Sequence, residues 1–295
     1  MMATNLSMAA DPDFVTVVEV APRDGLQNES TPLPAEIKVE LVDRLSAAGC
    51  PTIEVTSFVS PKAVPQLADA AQVMAGIRRH SGIRYTVLTP NWRGFEAARD
   101  ARADGIVVFG AASESFSQKN INCSIAESLA RFRPVVTAAL ESGIAVRGTV
   151  SCALGCPYEG VIAPEAVADV TRELLEMGCE EISIADTIGV GTPDRTRMVM
   201  EAVLEVVDPA QVNAHFHDTQ GRALDNLEVC LELGIRSIDA SAGGIGGCPF
   251  APGATGNVAT EAVLAFLEPR GFTTGIDRGA VVATGQWLRD QLARR

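Results

Sequence analysis

The chain of 295 residues holds three histidines, His80, His215 and His217, and two of them stand two positions apart. Alternate side chains of a β-strand point the same way, so the imidazoles of His215-Phe216-His217 share one side. Such a pair is either two hydrogen-bonded residues at a strand end or half of a metal site. With a single further histidine in the chain, the metal reading is favoured. Oxygen donors are then needed to complete the set, and Asp24 and the amide of Asn257 are the candidates. Two imidazoles with carboxylate, amide and water suit octahedral Mg²⁺ or Mn²⁺ better than a tetrahedral structural Zn²⁺.

Other residues invite the same weighing. Glu54 lies in a short apolar run, and a carboxylate placed there needs a partner, for which Arg23 is the natural choice. Asp186, in ADTIGVGTP, is either a site carboxylate or the cap of the following helix. Of the seven cysteines, Cys152 and Cys156 lack the second pair that a zinc site requires. Cys50, Cys123, Cys179 and Cys230 read as inert core or helix-end thiols. Cys248 follows Gly243-Gly244-Ile245-Gly246-Gly247. A mobile loop that closes a thiol over a substrate and a tight turn with an incidental cysteine both fit that run. An odd number of scattered cysteines argues for reduced thiols and a cytoplasmic protein.

The elements that must position these residues follow from periodicity. Short β-branched runs recur at 14–20, 52–56, 83–88, 105–109, 145–150, 181–185, 212–216 and 237–240. Helical spacing occupies the segments between them, among them 35–48, 67–79, 125–142, 164–177, 193–207 and 224–233. Gly49, Gly143, Gly178, Gly234 and Gly271 stand where helices need a left-handed cap. Eight strand–helix repeats in one chain of this length predict a single α/β domain, a (β/α)8 TIM barrel of residues 14–295. A further short helix follows Thr274, and residues 1–13 read as a flexible tail. An open doubly wound sheet would want a Gly-rich phosphate turn after the first strand, and APRDGLQNE is not one. The chemistry-bearing residues cluster at the C-terminal ends of the strands, where barrel active sites lie.

Composition narrows the function classes. Hydrophobic residues make up 47% and the formal charge is −13, which supports a large core and excludes a disordered chain and broad nucleic-acid binding. No apolar run has the length of a membrane helix, so no membrane partner is expected.

Eight segments together resemble the 3-hydroxy-3-methylglutaryl-CoA lyase family of metal-dependent TIM-barrel enzymes. They are EVAPRDGLQNE, IEVTSFVSPKAVPQLAD, LTPNWRGFEAA, VFGAASESFSQKNINCSIAES, VSCALGCPYEG, ADTIGVGTP, AHFHDTQGRAL and GGIGGCPFAPGATGNVATE, in the family's order from about Val18 to Thr274. The resemblance implies a retro-Claisen cleavage of an acyl-CoA thioester, a divalent cation and a homodimer. It implies Asp24, His215, His217 and Asn257 as metal ligands, Arg23 as the residue that stabilises the enolate, and Cys248 as an active-site thiol. Asp24 and His215 are the candidates for the base that takes the substrate hydroxyl proton. Glu54, Asp186 and Glu19 match acidic site residues facing the mouth, and Gln27 and Thr149 fall at substrate-binding positions. Ala21, Ala63, Thr149, Ala185 and Gln220 depart from the family pattern, several of them at aromatic positions. A bulkier 3-substituted glutaryl-CoA or citramalyl-CoA therefore stands as an alternative substrate. A condensing synthase and a catalytically silent scaffold are the remaining alternatives.

Overall fold

The structure, a computed structural model, describes residues 11–30, 32–246 and 256–294. Eight parallel strands close a barrel in chain order. They are β1 (Thr16–Glu19), β2 (Thr52–Ser57), β3 (Arg84–Leu88), β4 (Gly105–Ala111), β5 (Ala145–Ser151), β6 (Glu181–Asp186), β7 (Val212–Phe216) and β8 (Ser237–Ala240). The outer layer comprises α1 (Ala35–Ala47), α2 (Ala70–Gly76), α3 (Trp92–Asp100), α4 (Glu114–Ile121), α5 (Ile125–Glu141), α6 (Pro164–Met177), α7 (Pro193–Leu204), α8 (Ala223–Glu232), α9 (Thr260–Leu267) and α10 (Arg278–Ala293).

The expected barrel is present, and each of the five capping glycines has a positive φ. Two helical spans differ from expectation. The span 67–79 shortens to α2 because Pro65-Gln66-Leu67 forms a separate 3₁₀ turn and Ile77 is extended. The loop after β4 contains the additional helix α4, capped by the Ser113 side chain on the Phe116 amide. Residues 11–13, read from sequence as the end of a flexible tail, are held to the barrel. Asp13 O accepts from Thr273 N at 2.9 Å and Pro12 O from Arg236 Nε at 2.9 Å.

Strand register decides which side chains reach the site. The apolar residues Ile182 and Ile184 of β6, Ala214 and Phe216 of β7, and Ile238 of β8 face the helices as part of the core. Their neighbours Ser183, Asn213 and Ser237 point inward and join in a hydrogen-bonded chain, at 2.9 Å from Ser183 to Asn213 and 3.0 Å from Asn213 to Ser237. On these strands polar side chains point into the barrel and apolar ones toward the helices, alternating along the chain. Residues in register share a face, so pairing of His215 with Ala185 and Asp239 places all three inward.

The C-terminal helix is a structural partner of the site. Gly285 of α10 packs so tightly on the turn after β8 that a Cβ there would lie 2.7 Å from Gly243 N. Arg289 of the same helix donates to Gly243 O at 3.0 Å.

Candidate active site

A strand cannot aim two consecutive residues into one mouth, and the chain solves this just after β1. Residues Ala21–Gly25 form a wide helical turn in which the Arg23, Asp24 and Gly25 amides all donate to Val20 O, at 3.2, 2.8 and 3.1 Å. Arg23 and Asp24 both enter the cavity from this turn. Gly25 is required by packing, since a Cβ there would meet Ile245 Cγ1 at 2.7 Å.

The Arg23 guanidinium grips Glu54 of β2 in a two-pronged pair, Nε to Oε1 at 2.8 Å and Nη2 to Oε2 at 3.1 Å. Its third nitrogen, Nη1, donates to Asp24 Oδ1. Arg23 is 8% exposed and Glu54 1%, so the fork is fixed and largely desolvated while one edge reaches the cavity. Burial works against a charged Arg23, but the Asp24 and Glu54 carboxylates more than offset it and keep the guanidinium protonated.

Beside the fork, Asp24, His215 and His217 are buried and present ligand atoms that all lie within 4.8 Å of one another. Asp24 Oδ2 stands 3.9 Å from His215 Nε2 and 3.6 Å from His217 Nε2. Burial pushes the Asp24 carboxyl up, yet the Arg23 charge and the two imidazoles hold it well below the usual carboxylate range. An ionised carboxylate and two ring nitrogens converging in a buried pocket are a donor set that fits a divalent cation. Asn257 adjoins the group, its Nδ2 donating to Asp24 Oδ2 at 2.8 Å and, more weakly, to Ile245 O at 3.4 Å. A half-turn of the amide exchanges its nitrogen for the oxygen that a cation takes.

Arg23, Asp24, Glu54, His215 and His217 line one cavity of about 490 Å³. Gln27, Thr149 and Ala63 also border it, and Leu88, Phe109 and Phe116 supply an apolar wall. Glu19 and Asp186 do not reach it. Glu19 pairs in register with Ile53, one position before Glu54, and so faces the helix layer. There its Oε1 accepts from the Ala21 and Ala242 amides, each at 2.9 Å, and Oε2 from Thr260 Oγ1 at 2.8 Å. Asp186 pairs with outward-facing Phe216 and caps the next loop, accepting from Val190 N at 3.2 Å and Gly191 N at 2.8 Å. The expectation that both carboxylates face the mouth thus fails on strand parity. Cys248 lies outside the described residues.

Two buried charges at the site were absent from the sequence reading. Asp239 of β8 and Arg147 of β5 point inward and pair at 2.9 Å, and Asp239 Oδ2 lies 3.0 Å from His215 Nδ1. The signal was available, because a charged residue on the inward parity of a barrel strand needs a reason to be there.

The sequence model described as HMGL-like matches residues 15–288. The chain belongs to the HMGL-like family. A mouse protein named 3-hydroxy-3-methylglutaryl-CoA lyase, cytoplasmic, is 53% identical over 94% of this chain and 81% of that protein. The crystal structure of an HMG-CoA lyase from Brucella melitensis superposes with a TM-score of 0.94 at 53% identity, covering 95% and 99% of the two chains. An HMG-CoA lyase from Acinetobacter baumannii, solved with coenzyme A and 3-methylmalate, gives 0.92 at 39% identity over 96% of this chain and 93% of that one. Curated HMGL-like relatives carry both cytoplasmic and mitochondrial names. The chain is accordingly a lyase-family TIM barrel with a candidate metal centre, and no helix among the described residues is long and apolar enough to cross a membrane.

Proposed function

We propose that the chain cleaves 3-hydroxy-3-methylglutaryl-CoA to acetoacetate and acetyl-CoA. The observation that carries this reading is the Arg23–Glu54 fork standing against the buried Asp24, His215 and His217 cluster in one cavity. A divalent cation, Mg²⁺ or Mn²⁺, held by Asp24, His215, His217 and the Asn257 oxygen would lower the pKa of the substrate's tertiary hydroxyl.

The remaining steps belong to the chain's own residues. Rupture of the C2–C3 bond leaves a thioester enolate, whose oxygen needs a fixed cation. Arg23 meets that need because Glu54 occupies two of its donors and sets its plane before substrate arrives. Asp24 and His215 are the candidates to take the hydroxyl proton, since both border the cavity and each lies next to the other. Cys248, on the Gly-rich segment, is proposed to deliver the proton that turns the enolate into acetyl-CoA. Gln27 and Thr149 are proposed to contact the acyl end, on the strength of their place in the cavity wall.

A second reading keeps the reaction and changes the acyl group. Thr149 and Ala63 both border the cavity and both are small, which favours room for a different 3-substituent. Incubation with Mg²⁺ and a panel of 3-hydroxyacyl-CoA thioesters, followed by acetyl-CoA release, separates the two. We expect the methylglutaryl thioester to react fastest; an equal or faster bulkier substrate would transfer the assignment to it. Purified protein that binds neither Mg²⁺ nor Mn²⁺ would instead support a silent scaffold. The homodimer is part of this proposal through family membership. A reducing, cytoplasmic setting is likewise part of this proposal, on the odd number of scattered cysteines.

A further inference from the structure

The metal reading explains why His215 and His217 face the cavity, but it leaves unexplained a line of buried charge running below them. Arg147 sits inside the barrel on β5, with Nε donating to Glu181 Oε2 at 2.7 Å and Nη1 to Asp239 Oδ1 at 2.9 Å. Asp239 uses its other oxygen, Oδ2, on His215 Nδ1 at 3.0 Å. The side chains of Asp239 and Arg147 are 4% and 11% exposed. Three inward positions on β5, β8 and β7 therefore form a continuous chain from Arg147 through Asp239 to the imidazole.

We propose that Asp239 is a positioning residue for the metal centre, and that Arg147 fixes which way its carboxylate is shared. This rests on the metal reading given above. A neutral imidazole has one ring N–H and one bare nitrogen, and only the bare nitrogen can bind a cation. Asp239 can only accept at Oδ2, so it selects the form with hydrogen on Nδ1 and leaves Nε2 bare toward Asp24 and His217. Arg147 can only donate, so it claims Oδ1 permanently. Glu181 holds the far side of the guanidinium and prevents it from swinging away.

The geometry yields a signature that a purely structural ion pair lacks. In Asp239→Asn, the single amide oxygen is drawn to the Arg147 guanidinium, because a charged donor is the stronger partner. The amide NH₂ must then face His215, and the imidazole answers by moving its hydrogen to Nε2, where it blocks the cation. Replacing Arg147 by Met as well releases the amide, which can turn its oxygen back to Nδ1. A second substitution should thus repair the first.

The test is Mn²⁺ affinity of purified protein, read by electron paramagnetic resonance or calorimetry with no substrate present. Asp239→Asn should weaken Mn²⁺ binding roughly 10- to 100-fold, and Arg147→Met/Asp239→Asn should recover most of that loss. Wild-type-like affinity in Asp239→Asn, or a double variant no tighter than the single one, would overturn the proposal. Absence of Mn²⁺ binding in the wild type would instead strike the metal reading itself. A second measurement is independent of metal and of the variants: long-range ¹H–¹⁵N correlation of the histidine rings in metal-free wild-type protein, at a pH above their titration. With three histidines the spectrum is assignable. His215 should show the Nδ1–H form; the Nε2–H form would sink the inference whatever the variants do.

Discussion

Glu19 and Glu54 stand on adjacent strands near the same end of the barrel, one of them wholly buried and the other 1% exposed. The register pairs Glu19 with Ile53 rather than with Glu54, and that single step sends the two carboxylates to opposite faces. Glu54 meets a guanidinium, so its charge is matched and put to use in the cavity. Glu19 meets two backbone amides and a hydroxyl, which brace β1 against the turn after β8 and the start of α9. The same chemical group serves as electrostatic anchor on one face and as structural tie on the other. Charge matching, not burial, separates the two roles.

The largest effect is expected at the partner of Glu54. Arg23→Gln should lower turnover by roughly 10³-fold or more, as loss of a fixed cation opposite a developing oxyanion does. Mn²⁺ affinity should hold, because Arg23 is not among the donors; near-normal turnover would remove Arg23 from the chemistry.

Glu19 comes next, with an effect on stability and none on turnover. Burial, only partly offset by its hydrogen bonds, pushes its carboxyl from 4.5 up to about 7. A folded-state value above the unfolded one means that the folded protein holds the proton more tightly. The associated stability is complete below about pH 4.5 and fades as pH rises to about 7, a span worth about 3 kcal/mol at roughly 1.4 kcal/mol per pH unit. Glu19→Gln should flatten that decline in denaturation curves taken across the window while kcat stays unchanged. A parallel decline in both proteins would show that Glu19 keeps its charge when folded.

The smallest of the three effects belongs to Glu54→Gln, where the neutral amide keeps one acceptor for Arg23 and loses the other. Misplacement of the guanidinium should cost turnover roughly 10²-fold or less, without the pH signature of Glu19. If instead its main effect were on denaturation curves, the division between the two carboxylates would collapse.

The same parity accounts for what the sequence disclosed. The barrel was legible because eight β-branched runs alternate with helical spacing, and the His215–His217 pair announced itself by rarity and by its period of two. Arg23 was legible as the partner that Glu54 needs and Asp24 as an oxygen donor that the histidine pair needs, although the wide turn that aims both of them has no period to read. Glu19 and Asp186 were misplaced because each lies at a strand terminus, where proximity to the mouth says nothing about the face. Extending the alternation back from His215 and across the paired strands would have drawn Asp239 and Arg147 into view. Helix α4 was hidden because its eight residues have no clear apolar stripe.

Asp24 and Asn257 touch at 2.8 Å although 233 positions separate them. One follows the first strand and the other the last, on either side of the seam where β8 meets β1. The donor set therefore comes into being only when the final strand has docked against the first. A chain still emerging, or one stalled before its eighth strand, has the two histidines without their carboxylate in place and offers a cation little to hold. Capture of a cation there would be tied to completion of the ring, and a bound ion would act as a clasp between the two ends of the sheet, adding stability at their seam.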